Sequence, residues 1–389
     1  ASKAFGVDNM SEEYLVATES EGQGIPCTIA SDITKLYGLT TRTRTAALNA
    51  SILPKMLETA NSTEQSVRAT NINVPLMIMR GDGGVMEINE MKKRPILTML
   101  SGPAASVIGA LMYLRASNGI YFEVGGTSTN VGVIKNGRPA VDYSIIGGHR
   151  TYVSLDVRVL GVAGGSMVRA RKGEVIDVGP RSAHIAGMGY ACFTDPALFD
   201  GAELYHIQPR SNDPADYIAI RLNNGESVTI TNTCAANVLG ILEDGDYARG
   251  NYESSCKAIQ LLADEVGLSL EGTAEAILTK SSDKIIPVIE DLIMKYKIER
   301  DQIVLVGAGG GAGTLLTFTA NRLKFKYQIP INAEVISSIG VALAMVREMV
   351  ERTIPNPTAA DIAQLKKEAK ALAMNSGAVE DSIEIYVEI

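Results

Sequence analysis

The chain has 389 residues, with 36 Lys and Arg against 44 Asp and Glu, a formal net charge of −8. That acidic balance argues against a nucleic-acid partner, which needs clustered positive charge. Hydrophobic residues at 46% and charged residues at 21% exclude extended disorder and leave material for a sizeable core.

No apolar run reaches the ~18 residues that a membrane span requires, so no membrane partner is expected. Cys27, Cys192, Cys234 and Cys256 are scattered without a CxxC pair, and no signal-peptide pattern opens the chain. A reducing, cytoplasmic setting is the expectation. His149, His184 and His206 lack metal-ligand spacing. Glycine stands out at 37 of 389 residues, about one in ten where ~7% is usual, and it comes in clusters.

Taken in chain order, Gly24 to Ala30 reads as a short strand-like run and Thr41 to Ala60 as a helix that Pro54 should kink or break. Val74 to Met79 reads as a buried strand entering the turn Arg80-Gly-Asp-Gly-Gly84. Ser101-Gly-Pro103 opens a buried helix. Gly119 to Val124 and Val131 to Ile134 are strands around the small-residue tip Gly125-Gly-Thr-Ser-Thr-Asn130. Asn136-Gly137 then predicts a hairpin into Pro139 to Ile146, giving a three-stranded meander. Residues 196 to 222 are polar and Pro-rich and read as surface loop.

From Asn237 the pattern is helical through 253–266, 271–280 and 281–296. Gln302 to Val306 is a strand, Gly307-Ala-Gly-Gly-Gly-Ala-Gly313 a glycine loop, Thr314 to Leu323 a helix and Tyr327 to Pro330 a strand; a long helix is predicted over Ala333 to Arg352. Strand, loop, helix, strand implies an α/β layer with parallel strands. Ser382 to Ile389 alternates like a strand without a partner, and the chain starts at Ala1, so a piece of a longer protein is expected.

Two segments suggest chemistry. Gly125, Gly126, Thr127, Ser128, Thr129 and Asn130 put unhindered backbone N–H groups and three hydroxyls at one hairpin tip, which suits phosphate oxygens. Glu123, just before the tip, is the candidate Mg²⁺ ligand. Gly307, Gly309, Gly310, Gly311 and Gly313 lie between an apolar strand and a helix, where backbone can approach a phosphate or nucleoside. Gly307, Gly309 and Ala312 also fit G-x-G-x-x-G/A, but no acid follows before Glu334 to meet a ribose, so the dinucleotide reading is weak. Close helix–strand packing is the plain alternative for these glycines, and a tight polar turn for the hairpin.

Five segments occur in an order that resembles the hydantoinase A/oxoprolinase family of the actin-like ATPase superfamily. They are Arg94-Pro-Ile-Leu-Thr-Met-Leu-Ser-Gly-Pro-Ala104, Phe122-Glu-Val-Gly-Gly-Thr-Ser-Thr-Asn-Val131, Asp156-Val-Arg-Val-Leu-Gly-Val-Ala-Gly-Gly-Ser166, Val178-Gly-Pro-Arg-Ser-Ala183 and Gly307 to Gly313. Thr43-Arg-Thr-Ala-Ala-Leu-Asn49 and Ser337-Ser-Ile-Gly340 are similar too, so the resemblance spans about residues 38 to 350.

The resemblance implies an actin-like (ribonuclease H-like) α/β architecture with mixed sheets flanked by helices. It places a partial first lobe over 1–118, a second lobe over 119–358 with an inserted loop region about 184–235, and a C-terminal helix and strand over 359–389. It further implies ATP and Mg²⁺ as cofactors and ring opening of a cyclic amide, hydantoin or 5-oxoproline-like, through carbonyl phosphorylation. A hydantoinase B-like second subunit and a homo-oligomer are the implied partners. Glu123, Asp156 and Asp82 are the candidate catalytic acids, the last two at the substrate end. The alternatives are an ATP-dependent carboxylase subunit or a non-enzymatic ATP-binding reactivase. Three departures bear on activity: no first phosphate motif is present, Asn130 stands where the family has an acid, and His184-Ile-Ala-Gly-Met188 and Asn232 replace other family residues.

Overall fold

The computed structural model describes residues 1–114, 118–350, 352 and 354–387. The chain forms two compact units, one of residues 1–108, 141–156 and 341–389, the other of 109–140 and 157–340. Neither unit is one continuous stretch, and the division differs from one at 118 and 358.

The second unit is built on two six-stranded sheets. In one, Gly119–Val124 lies between Thr129–Lys135, its antiparallel hairpin partner, and Val304–Ala308, its parallel neighbour; Lys326–Gln328 extends the parallel side. The mixture follows from connection length: a four-residue tip joins the hairpin, whereas parallel neighbours need a crossover such as the helix Ala312–Leu323. The Gly119–Val124 strand is apolar and almost wholly buried, as expected of a strand covered on both faces.

The expected meander is shorter than its sequence suggests. Its third strand is only Arg138–Pro139, while Val141–Ile146 pairs with His149–Leu155 in a separate two-stranded sheet of the first unit. The stretch 196–222 is also not loop throughout. Glu203–Ile207 and Tyr217–Arg221 pair antiparallel in the second six-stranded sheet, with Tyr217, Ile218, Ala219 and Ile220 buried. Pro209, Asp213, Pro214 and Asp216 sit between those two strands and mask the alternation within them.

Helices cover this core. Tyr252–Val266 is capped by Asn251, whose side chain accepts from Ser254 N–H, and Leu270–Tyr296 by Ser269, which accepts from Gly272 N–H. The latter runs unbroken through both predicted segments and buries Ile277, Leu278, Ile285, Ile289, Leu292 and Ile293. At ~1.5–3 kcal/mol per buried aliphatic side chain, that stripe outweighs the hydrogen bond lost at Pro287.

In the first unit, Leu39–Ala69 is one helix through Pro54, and it packs on His149–Leu155 and on the turn Pro95–Thr98. Buried Asn49 ties that turn down by accepting from Ile96 N–H and donating to the Lys93 carbonyl. Met79, Met86 and Met91 are buried and Met99 is exposed. The helix predicted over 333–352 is only Ile336–Leu343. Beyond it, Met345 accepts from Val85 N–H and Arg347 and Glu348 meet Arg80, so tertiary contacts override helix propensity. Residues 24–29 and 383–387 form no strand; 388 and 389 lie outside the described residues. No described helix is long and apolar enough to cross a membrane.

Candidate functional site

The hairpin tip Gly125–Ser128 is the hub of the second unit. Gly125 N–H donates to the Ser128 carbonyl at 3.1 Å and closes the turn. Two other glycine turns hang on its carbonyls: Gly164 and Gly165 N–H donate to Gly125 and Gly126 at 3.1 Å each, and Gly311 N–H donates to Val124 at 2.9 Å. The hairpin and the Gly307–Gly313 loop therefore meet through the backbone, side by side at the ends of adjacent parallel strands. The N–H groups of Gly126, Thr127 and Ser128 have no backbone acceptor among the described residues. Successive unspent N–H groups in a turn are the kind of arrangement that can hold anionic oxygens.

These glycines have different tasks. A Cβ on Gly309, whose φ is +81°, would run into the Val124 carbonyl oxygen, and one on Gly311 would stand 3.1 Å from the Gly125 carbonyl oxygen. Gly307 lies inside the strand Val304–Ala308, where a Cβ would come within 2.6 Å of Leu316 Cδ2. Close helix–strand packing therefore accounts for Gly307. Gly310 faces the exposed Tyr247 ring, 2.7 Å from Cδ1 to an added Cβ, and Gly313 faces the Asp246 carboxylate. Burial pushes the Asp246 carboxyl above its usual range, and Glu243 and Glu334 add to that.

The hydroxyls at the tip differ from the sequence expectation. Thr129 is fully buried and its hydroxyl donates to the Val162 carbonyl at 2.5 Å, behind the turn. Thr127 Oγ1 lies 3.1 Å from Ser182 Oγ. Asn130 sits opposite Glu123 in the hairpin register, and its Nδ2 donates to Glu123 Oε2 at 2.8 Å. Its Oδ1 is buried without a hydrogen-bond partner.

The Gly164–Gly165 turn is held from behind by residues whose role the sequence did not reveal. Thr233 donates twice to the Gly164 carbonyl, through its N–H and Oγ1 at 3.0 Å each. Asn232 donates to the Ala163 carbonyl at 2.8 Å and accepts from Ser281. Tyr190 places its hydroxyl beside both Gly126 and Gly165. The advance signals were the Gly-Gly pair, which marks a close approach without naming what approaches, and Asn232, which stands in place of a family residue.

Asp82 and Asp156 belong to the first unit. Asp82 accepts from Gly84 N–H at 3.1 Å and pairs with Arg80 at 2.7 Å, so both its carboxylate oxygens are engaged. Asp156 is buried and follows Leu155, whose N–H donates to the Gly81 carbonyl at 2.8 Å. The two acids thus stand at neighbouring turns.

The family model for hydantoinase/oxoprolinase matches residues 42–350. The chain is 25% identical over 326 residues to caprolactamase subunit alpha of Pseudomonas jessenii, covering 81% of this chain and 42% of that protein. It is 26% identical over 201 residues to the acetophenone carboxylase gamma subunit of Aromatoleum aromaticum, covering 48% of this chain and 26% of that one. Among solved structures, the ATP-dependent caprolactamase from Pseudomonas jessenii superposes with a TM-score of 0.71 at 23% identity, and nucleotide-free acetone carboxylase with 0.62 at 20%. Each superposition covers 97% of this chain and 53% of the other, and establishes the fold. The chain spans less than half the length of the curated relatives it matches.

Proposed function

The chain belongs to the hydantoinase/oxoprolinase family, and on that premise we propose that it is the nucleotide-holding part of an ATP-dependent enzyme that opens a cyclic amide. The γ-phosphoryl group passes from ATP to the amide oxygen, releasing ADP and leaving an imidate carbon that water attacks. The ring C–N bond then breaks with the nitrogen taking a proton, and a second water hydrolyses the acyl phosphate so formed to the carboxylate and inorganic phosphate. Such transfer is mostly positioning and charge neutralisation, which backbone donors supply without side-chain chemistry.

The observation that carries this reading is the meeting of three glycine turns at one hairpin tip, with the N–H groups of Gly126, Thr127 and Ser128 unspent there. Gly125, Gly126, Gly164, Gly165, Gly309 and Gly311 leave the backbone around the tip without side chains, which supports a phosphate chain as its ligand. The loop Gly309–Gly313 would take the nucleoside end. Magnesium would arrive with the nucleotide, with Glu123 as one protein ligand, because no three His, Cys, Asp or Glu side chains gather among the described residues. Asp82 and Asp156 are proposed for the substrate end. A second, hydantoinase B-like subunit is proposed because the similar caprolactamase and acetophenone carboxylase chains are themselves named as subunits.

The test is turnover by the whole protein with its partner subunit, given hydantoin, 5-oxoproline or ε-caprolactam. Lactam-dependent ADP release with equimolar ring-opened product is expected, and its absence for all three rings would sink the hydrolase reading. The match to a carboxylase subunit supports a second reading, in which ADP release requires bicarbonate and a ketone. Asn130, in place of an acid, favours a reactivase, for which partner release would follow nucleotide binding without small-molecule turnover.

A further inference from the structure

We propose that the Tyr190 hydroxyl binds the terminal phosphoryl group of a nucleoside triphosphate seated on the Gly125–Ser128 tip. The proposal rests on the nucleotide reading above and adds a residue to it.

Tyr190 ends the short strand Gly189–Tyr190, which pairs parallel with Ser227–Thr229 and sets Tyr190 opposite Thr229. Its ring stacks on Phe193, with centroids 5.7 Å apart and planes at 29°. Backbone pairing and ring stacking together fix where the phenol points. A Cβ on Gly165 would collide with the hydroxyl, and one on Gly126 would stand 3.2 Å from it. The hydroxyl therefore occupies a notch between two turns that are themselves joined by the Gly165 to Gly126 hydrogen bond.

The other donors around that notch are largely committed. Gly164 and Gly165 N–H are spent on the hairpin carbonyls, Thr129 Oγ1 on Val162, and Thr127 Oγ1 is paired with Ser182. The Tyr190 hydroxyl has no protein hydrogen-bond partner among the described residues and is not among the buried polar atoms left unsatisfied, so it is open to solvent or a ligand. Burial, with Cys192 and Cys234 nearby, pushes its pKa up, so it stays a protonated donor at neutral pH. A fixed donor beside the unspent N–H groups of Gly126, Thr127 and Ser128 suits an oxygen-rich terminal group. A nucleoside diphosphate lacks that group.

The test is calorimetric titration of the 389-residue chain with Mg²⁺ and the imido analogue of ATP, ADP or inorganic phosphate, using wild type, Tyr190→Phe and Tyr247→Phe. Tyr190→Phe removes one oxygen and keeps the stacked ring, and an unchanged melting curve checks its fold. It is expected to weaken the ATP analogue about tenfold while ADP affinity holds, whereas Tyr247→Phe leaves the ratio of the two unchanged. Equal affinity of Tyr190→Phe and wild type for the ATP analogue, or an equal loss for ADP, overturns the proposal. Binding of inorganic phosphate alone, with neither nucleotide bound, overturns it too and marks a simple anion site. If wild type binds none of the three, the nucleotide reading fails and this proposal falls with it.

Discussion

Asn130 Nδ2 donates to Glu123 Oε2 at 2.8 Å across the hairpin, so an amide and a carboxylate share the position where two acids would repel each other. Asn130→Asp replaces that hydrogen bond with two carboxylates in contact. At neutral pH the variant should lose about 1–3 kcal/mol of stability. One of the paired carboxyls would then have a folded pKa above its unfolded value, so the loss should shrink as pH falls and be greatest above that raised pKa. Urea unfolding at pH 5 and pH 8 reads this directly, and a pH-independent difference would contradict it.

Gly309 holds φ at +81° with no room for a Cβ beside the Val124 carbonyl. Gly309→Ala should cost about 1–3 kcal/mol and loosen the Gly311 to Val124 hydrogen bond that joins the two turns. Both melting temperature and affinity for a fluorescent ATP analogue should fall. Wild-type values for both would show that the turns are not set by this backbone.

Arg42 and Glu13 form an ion pair with side chains 0% and 1% exposed. Burial alone would raise the Glu13 pKa, but hydrogen bonds from Arg42 and Ser31 outweigh it and hold the carboxyl below its usual value. Arg42→Met leaves that carboxylate buried without its cation, at a cost of about 3–5 kcal/mol. Arg42→Met combined with Glu13→Leu should recover much of the loss in chemical denaturation. A double variant as unstable as the single one would place the cost elsewhere, for instance in the Lys3 and Leu36 carbonyls that Arg42 also serves.

Arg169 grips Asp216 with two hydrogen bonds of 2.6 and 2.8 Å, and these lower the Asp216 pKa. Asp216→Ala should cost about 1–2 kcal/mol at pH 7 after allowing for partial exposure. Because the folded pKa is depressed, the pair stabilises the protein above the unfolded carboxylate pKa. That contribution is lost as pH falls through the folded one. The gap between variant and wild type should therefore close in acid, and a constant gap from pH 7 downward would rule out the charge as its origin.

The candidate site was legible in sequence where its determinants are local. Gly119 to Val124 followed by Gly125-Gly-Thr-Ser is an apolar run broken by turn residues, and Val304 to Ala308 followed by Gly309 to Gly313 is another. What joins them is not local: Gly311 meeting Val124, or Thr233 meeting Gly164, is a backbone contact between distant segments that no residue type announces. Thr129 shows the same limit, since its place in the motif suggests a tip hydroxyl and the strand's alternation turns it inward onto Val162. The short helix Ile336–Leu343 failed the other way, because its apolar pattern continues while Arg80 and Val85 claim the backbone that follows.

The Arg80 to Glu348 ion pair links residues 268 positions apart within one unit. On the ribosome, Arg80 can meet Asp82 at once but must wait for the whole intervening unit before Glu348 emerges. The intervening unit, complete by Gly340, can already have closed around its own sheets by then. Translation order alone thus gives the glycine-rich unit a head start and leaves the other to be finished by the segment that follows Gly340.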